Sequence, residues 1–164
     1  LIRMVYRQTK ALDPTRPCID TSGVSHVETD IHDVHDYDQN PQSFAARYRP
    51  IGETGAFEEP HYGDRQKYDG KKPVFVSEYG GTGLSLHSGS WSYGSAAKSC
   101  AEFNERYRGL THALLENPEI CGMCYTQLYD VEQEQNGLYT YDREPKTDIT
   151  EIYRINTKKA AIEE

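Results

Sequence analysis

Lys72-Pro73-Val74-Phe75-Val76-Ser77-Glu78-Tyr79-Gly80-Gly81 reads as a buried strand: an apolar run entered through a proline and closed by a carboxylate, an aromatic ring and two glycines. A strand that is apolar on both faces belongs in a sheet covered on both sides, which is the habit of parallel sheets. Parallel neighbours need crossover connections, so the flanking elements should alternate helix with strand.

Downstream, a loop rich in Gly, Ser and Thr runs through Trp91 into a helix predicted from about Ala96 to Glu116, where Phe103, Tyr107, Leu110, Ala113 and Leu114 recur at helical spacing. Asn117-Pro118 stops it. A further strand is predicted from Cys121 to Leu128, then a polar loop from Tyr129 to Gly137, and a helix from about Asp148 to Ile155. Upstream, Ile31 to Tyr37 reads as a strand ending in Asp38-Gln39-Asn40-Pro41, a turn that launches a short helix from about Gln42 to Arg49. Before it, Arg16 to Gly23 suggests another short strand, and Leu1 to Leu12 a helix closed by Asp13-Pro14. About nine residues separate Ser22 from Ile31, fewer than the ten or twelve of a full crossover, so a plain loop or degenerate helix is expected there.

The chain has 164 residues, 36% of them hydrophobic, and a net charge of -8 with a pI near 5.2. That acidity argues against a nucleic-acid partner, whose phosphates are bound by Lys and Arg. No apolar run approaches the roughly 20 residues that cross a bilayer, so no membrane partner is expected. Cys121 and Cys124 form a C-x-x-C, but strand residues three apart point to opposite faces, so the four cysteines are read as small buried thiols in a reducing, cytoplasmic setting. His26, His32 and His35 match no zinc spacing, and no metal is expected.

The loops that follow the strands are long, acidic and aromatic, whereas those that precede them are short and marked by proline. In parallel α/β folds ligands sit at the carboxyl ends of the strands. Those ends carry Asp20, His35 with Asp36 and Tyr37, Glu78, and Gln127 with Asp130. Four strands cannot close a (β/α)8 TIM barrel, which needs eight and about 250 residues. The expected fold is therefore the C-terminal half of such a barrel, one partial domain over residues 1–156 with a tail at 157–164.

Converging carboxylates and aromatic rings suit sugar chemistry, in which one ionised carboxylate attacks the anomeric carbon and one protonated carboxyl releases the leaving group. The resemblance becomes specific in three stretches: Asp13-Pro14-Thr15-Arg16-Pro17 with Asp33-Val34-His35-Asp36-Tyr37; Val76-Ser77-Glu78-Tyr79-Gly80; and Tyr125-Thr126-Gln127-Leu128-Tyr129-Asp130 through Asn136-Gly137-Leu138-Tyr139 to Tyr141-Asp142-Arg143. In order and spacing these resemble glycoside hydrolase family 2, the β-galactosidase and β-glucuronidase type. The resemblance implies barrel strands five to eight and a retaining β-glycosidase with Glu78 as nucleophile. It also implies that Tyr37 hydrogen-bonds Glu78 and helps hold it ionised, since donation to a carboxylate favours its charged form. The family's acid/base Glu belongs to an earlier strand. The parent's N-terminal half-barrel and β-sandwich domains are expected partners, this piece alone is expected to be inactive, and no organic cofactor is required.

Substrate contacts are expected from His35, Asp36, Trp91, Tyr125 and Gln127. Tyr125 and Gln127 share a strand face, and each is equally readable as packing; Trp91 is equally readable as a loop anchor. Glu132, Glu134, Glu58 and Glu59 read as an acidic rim. Two departures bear on the sugar. Glu134-Gln135-Asn136 stands where β-glucuronidases place an Asn-x-Lys that grips the uronate, and its acid would repel one. Gly81 stands where well-known β-galactosidases carry a sugar-binding His, yet neutral β-galactosides remain the first expectation. The alternatives are a non-catalytic carbohydrate-binding or assembly fragment and a metal-dependent barrel hydrolase. The exposed edges of a half barrel also make homo-oligomers an expectation.

Overall fold

The computed structural model describes residues 1–58, 60, 68–84 and 87–164. The expectation for Glu59 lies outside them. In chain order the elements are α1 (Ile2–Leu12), β1 (His32–Asp36), α2 (Pro41–Tyr48), α3 (Pro50–Thr54), β2 (Val74–Gly80), α4 (Cys100–Leu115), β3 (Ile120–Thr126), α5 (Ile149–Asn156) and a short 3-10 turn (Ala161–Glu163).

Helices α2, α4 and α5 start where their sequences supply side-chain caps. Asn40 accepts from the backbone N–H groups of Gln42 and Ser43, with Pro41 at the first helical position of α2. Ser99 accepts from Glu102 N while the Glu102 carboxylate accepts from Lys98 N, so two orphan donors are satisfied at the head of α4. Asp148 caps α5.

The sheet is parallel, ordered β1-β2-β3. Val34, Val74 and Val76 are buried in it and pack with Phe44, Tyr48, Ile51, Leu110 and Leu114 from the crossover helices. Each such fully buried side chain contributes roughly 1.5–3 kcal/mol of transfer free energy. A second cluster, with Leu84, Phe103, Tyr107, Leu138, Ile152 and Ile155, joins α4 and α5 to the loops beyond the strands. Tyr125 packs against both clusters.

Two expectations need correcting. Arg16 to Gly23 forms no strand. Its backbone is held by carboxylates instead: Cys18 N donates to Asp30, and Asp33 takes the N–H of Gly23. The cysteines are not buried: Cys100, Cys121 and Cys124 are exposed and all four are free. On β3, an outer strand, a side chain has a neighbouring strand on one side only. The helix expected from Leu1 to Leu12 is present as α1, with Leu1, Met4, Val5 and Leu12 facing solvent. It docks through Tyr6, which donates to Asp30 at 2.7 Å, and Lys10, 2.9 Å from the same carboxylate. The hydrogen bond to Asp30 pushes the Tyr6 phenol up to about 12.

Gly80 ends β2 at φ 84°, and a Cβ there would lie 2.2 Å from the Tyr125 ring. Gly80→Ala combines left-handed strain with a clash, so a loss of about 2 kcal/mol is expected in urea denaturation. An unchanged midpoint would contradict the close approach of β2 to Tyr125.

Candidate active site

Glu78 sits near the carboxyl end of β2, opposite His35 of β1, where the pairing register shifts between Val34 and His35; β2 and β3 shift between Val76 and Tyr79. Such irregularities re-aim side chains at strand ends. The Glu78 side chain is 37% exposed, so it is both anchored and reachable.

Tyr37, one residue beyond β1, donates its phenol to Glu78 Oε2 at 2.5 Å. His35 Nδ1 lies 3.2 Å from the same phenol oxygen and 3.6 Å from Glu78 Oε2. The phenol's single proton is committed to Glu78, so His35 Nδ1 is the donor in the contact with Tyr37. On the far side of the ring, Ser22 Oγ is 3.0 Å from His35 Nε2. Burial, and then the bond to Glu78, push the Tyr37 phenol well above its ordinary range, so it remains a neutral donor.

Sequence reasoning missed two residues that complete this arrangement. Tyr93 lies parallel to Tyr37, with centroids 3.7 Å apart and planes 4° apart, and Trp91 meets Tyr93 edge-on at 5.4 Å. Gln39 donates to Gly80 O at 2.5 Å and to Tyr37 O at 3.0 Å, while its carbonyl accepts from Thr82 at 2.6 Å and Arg106 at 3.2 Å. It thereby ties the ends of β1 and β2 together. The only sequence signal was position, Gln39 just past β1 and Tyr93 in the long loop after β2.

The other expected site residues divide. Trp91 is 46% exposed, and its backbone is strapped to the loop after β3: its N–H donates to Gln133 O at 2.8 Å and its carbonyl accepts from Gln135 N at 2.9 Å. Asp36 is not at the cleft. It is buried on the other face of β1, accepting from Arg47 at 2.5 Å and Tyr48 at 3.0 Å, because adjacent strand residues alternate in direction. Tyr125 packs among Tyr79 and Tyr107, 5.6 and 4.8 Å away between centroids. Gln127 has its amide nitrogen buried without a hydrogen-bond partner among the described residues.

Asp20 and His26 form a separate buried group with Asp33. His26 Nδ1 is 2.7 Å from Asp20 and Nε2 3.0 Å from Asp33. Burial pushes His26 down, but its hydrogen bonds to Asp33 and Asp20 outweigh burial and raise it to about 9. Burial also acts against both charged carboxylates, yet the Val27 N–H and His26 hold Asp20, and His26 and Ser77 hold Asp33, below the usual range. Asp33 also accepts from Ser77 Oγ at 2.7 Å, next to Glu78.

Beside the Trp91 strap, an open cavity of about 570 Å³ is lined in part by Gln135, Asp130, Lys146, Asp142 and Glu144. Lys146 is paired with Asp130 at 2.5 Å, which leaves Asp142 and Glu144 to set an acidic lining.

No family model matches the chain, and no curated protein matches it. Solved structures do. A β-glucuronidase from Faecalibacterium prausnitzii is 20% identical, with a TM-score of 0.60 over 97% of this chain and 28% of that one. A β-D-glucuronidase from Dictyoglomus thermophilum is 19% identical, with a TM-score of 0.60 over 96% and 29%. An exo-β-agarase is 18% identical, with a TM-score of 0.56 over 79% and 16%. At this identity the likeness is one of fold, a mixed α/β chain built on a parallel three-stranded sheet, and the chain spans less than a third of the length of these neighbours.

Proposed function

We propose that this chain belongs to a retaining β-glycosidase of family 2 type, as the half of its TIM barrel that carries the nucleophile. The observation that carries the reading is the 2.5 Å bond from Tyr37 to a partly exposed Glu78 at the carboxyl end of a parallel strand. A retaining mechanism needs a carboxylate that is ionised, oriented and accessible to the anomeric carbon. Glu78 attacks, an acid/base carboxyl from another part of the polypeptide protonates the leaving group, and water then releases the sugar. Trp91, exposed beyond Tyr93, offers an aromatic face to the apolar side of a sugar ring, and His35 a polar contact. These 164 residues alone are not expected to turn substrate over.

The substrate in this proposal is a terminal neutral β-glycoside, a β-galactoside first. Glu134 and the Asp142–Glu144 lining would repel a uronate, so the glucuronidase activity of the neighbours is not carried over.

The test uses activated 2-deoxy-2-fluoro-β-glycosides, whose leaving group departs without acid assistance. A covalent adduct on Glu78, found by intact mass and peptide mapping, with galacto or gluco reagents and not with the glucuronide, is the expected result. Labelling elsewhere, or of none of the 164 residues, defeats the proposal. Charge-assisted hydrogen bonds contribute about 1.5–3 kcal/mol, so Tyr37→Phe should slow this labelling by about 10-fold or more. A change of less than about 2-fold would remove Tyr37 from the attack step.

A further inference from the structure

We propose that Tyr93 is a positioning residue for the nucleophile: its ring, stacked on Tyr37, fixes the plane from which the Tyr37 phenol meets Glu78. The proposal rests on the reading of Glu78 as nucleophile for its kinetic consequence and on the geometry alone for its structural one.

Among the described residues, several contacts hold the Tyr37 ring. Its hydroxyl is bound to Glu78, His35 meets it edge-on with centroids 6.1 Å apart, and Tyr93 covers one face in parallel at 3.7 Å. The parallel Tyr93 face opposes tipping of the ring out of its plane. Tyr93 can resist because it is itself fixed. Its N–H donates to Gly81 O at 3.0 Å. Its ring also occupies the space that a side chain on Gly81 would need, 2.3 Å from the position of a Cβ, at a residue held at φ 63°. Trp91 abuts its edge, and Trp91 is strapped to the loop after β3. Gly94 follows at φ 62°, and a Cβ there would be 2.6 Å from Gln39, the residue whose amide binds the Tyr37 carbonyl. The turn at 93–94 thus closes over the segment from Tyr37 to Gln39 at two points. The glycine at position 81, read from the sequence as a missing sugar contact, is the opening that admits Tyr93.

Among the described residues Tyr93 meets Glu78 through Tyr37, so its loss should show as misorientation and not as weaker reagent binding. The experiment uses the full 164-residue chain and two readouts. Proton NMR should show a far-downfield hydroxyl proton for the Tyr37–Glu78 bond, absent in Tyr37→Phe. In Tyr93→Leu, with Tyr93→Met as a second variant should the first not fold, that proton should exchange with water at least about 10-fold faster, whereas Tyr93→Phe, which keeps the stacked ring, should retain it. Labelling of Glu78 by the 2-fluoro-galactoside should slow about 10-fold at saturating reagent in the Leu or Met variant, with the half-saturating concentration unchanged, and recover in Tyr93→Phe. An unaltered proton and an unaltered rate in the Leu or Met variant overturn the proposal, as does absence of the downfield proton from the parent chain. If the proton behaves as expected but nothing labels Glu78, the nucleophile reading fails and the positioning of Tyr37 by Tyr93 stands.

Discussion

Glu78→Ala is expected to abolish covalent labelling of the chain and, in the complete enzyme proposed above, to lower turnover of aryl β-galactosides by on the order of 10⁴-fold or more. The magnitude follows from the chemistry. Without the carboxylate there is no glycosyl-enzyme intermediate, and what remains is binding and leaving-group protonation. The space vacated by the side chain also makes a sharper test available. Azide added to the variant should enter on the face Glu78 occupied and give a glycosyl azide of inverted configuration, whereas substitution of an acid/base residue would give the retained product. Full turnover by Glu78→Ala, or a retained azide product, would remove Glu78 from its proposed role.

The largest effect on stability is expected at His26. His26→Ala leaves Asp20 and Asp33 buried without their cation, a change that costs about 3–5 kcal/mol where a buried ion pair is broken from one side. Urea denaturation measures it, and a loss below about 1 kcal/mol would show that the two carboxylates find other partners. The same group sets a pH dependence with a definite sign. The folded His26 value is raised from 6.5 to about 9, so its contribution is fully present below about 6.5 and is lost as pH rises through about 9. The folded values of Asp20 and Asp33 are depressed, so theirs is present above their ordinary carboxylate values and is lost as pH falls through the lowered ones. The alkaline decline should be absent from His26→Ala.

What was legible in the sequence was what periodicity and local chemistry encode. Val74 to Val76 could be recognised as a parallel strand because its apolar run is unbroken, and α4 because its apolar residues recur at helical spacing up to the stop at Asn117-Pro118. The segment from Arg16 to Gly23 had strand-like composition, but its backbone is satisfied by Asp30 and Asp33, partners that are distant in sequence and that no local pattern reveals. Asp36 was misplaced because adjacent strand residues point oppositely and the sequence does not say which of His35 and Asp36 faces the cleft; the pairing of Asp36 with Arg47 and Tyr48 decides it. Tyr93 and Gln39 stayed invisible for a related reason. Neither belongs to a motif, and each acquires its role only when the loop after β2 folds back over the end of β1.

The strap that joins Trp91 to Gln133 and Gln135 ties two loops that a barrel would otherwise vary independently. One of them holds the aromatic rings next to Glu78; the other carries the acidic residues proposed to screen the sugar. Changes in the 133–135 segment are therefore transmitted as a shift of Trp91 against Tyr93, so selection for a different substrate in one loop is felt as a change of reactivity in the other. Swapping the acidic loop by itself should retune preference and rate together, and an exchange that preserves rate has to carry the 91–94 turn with it.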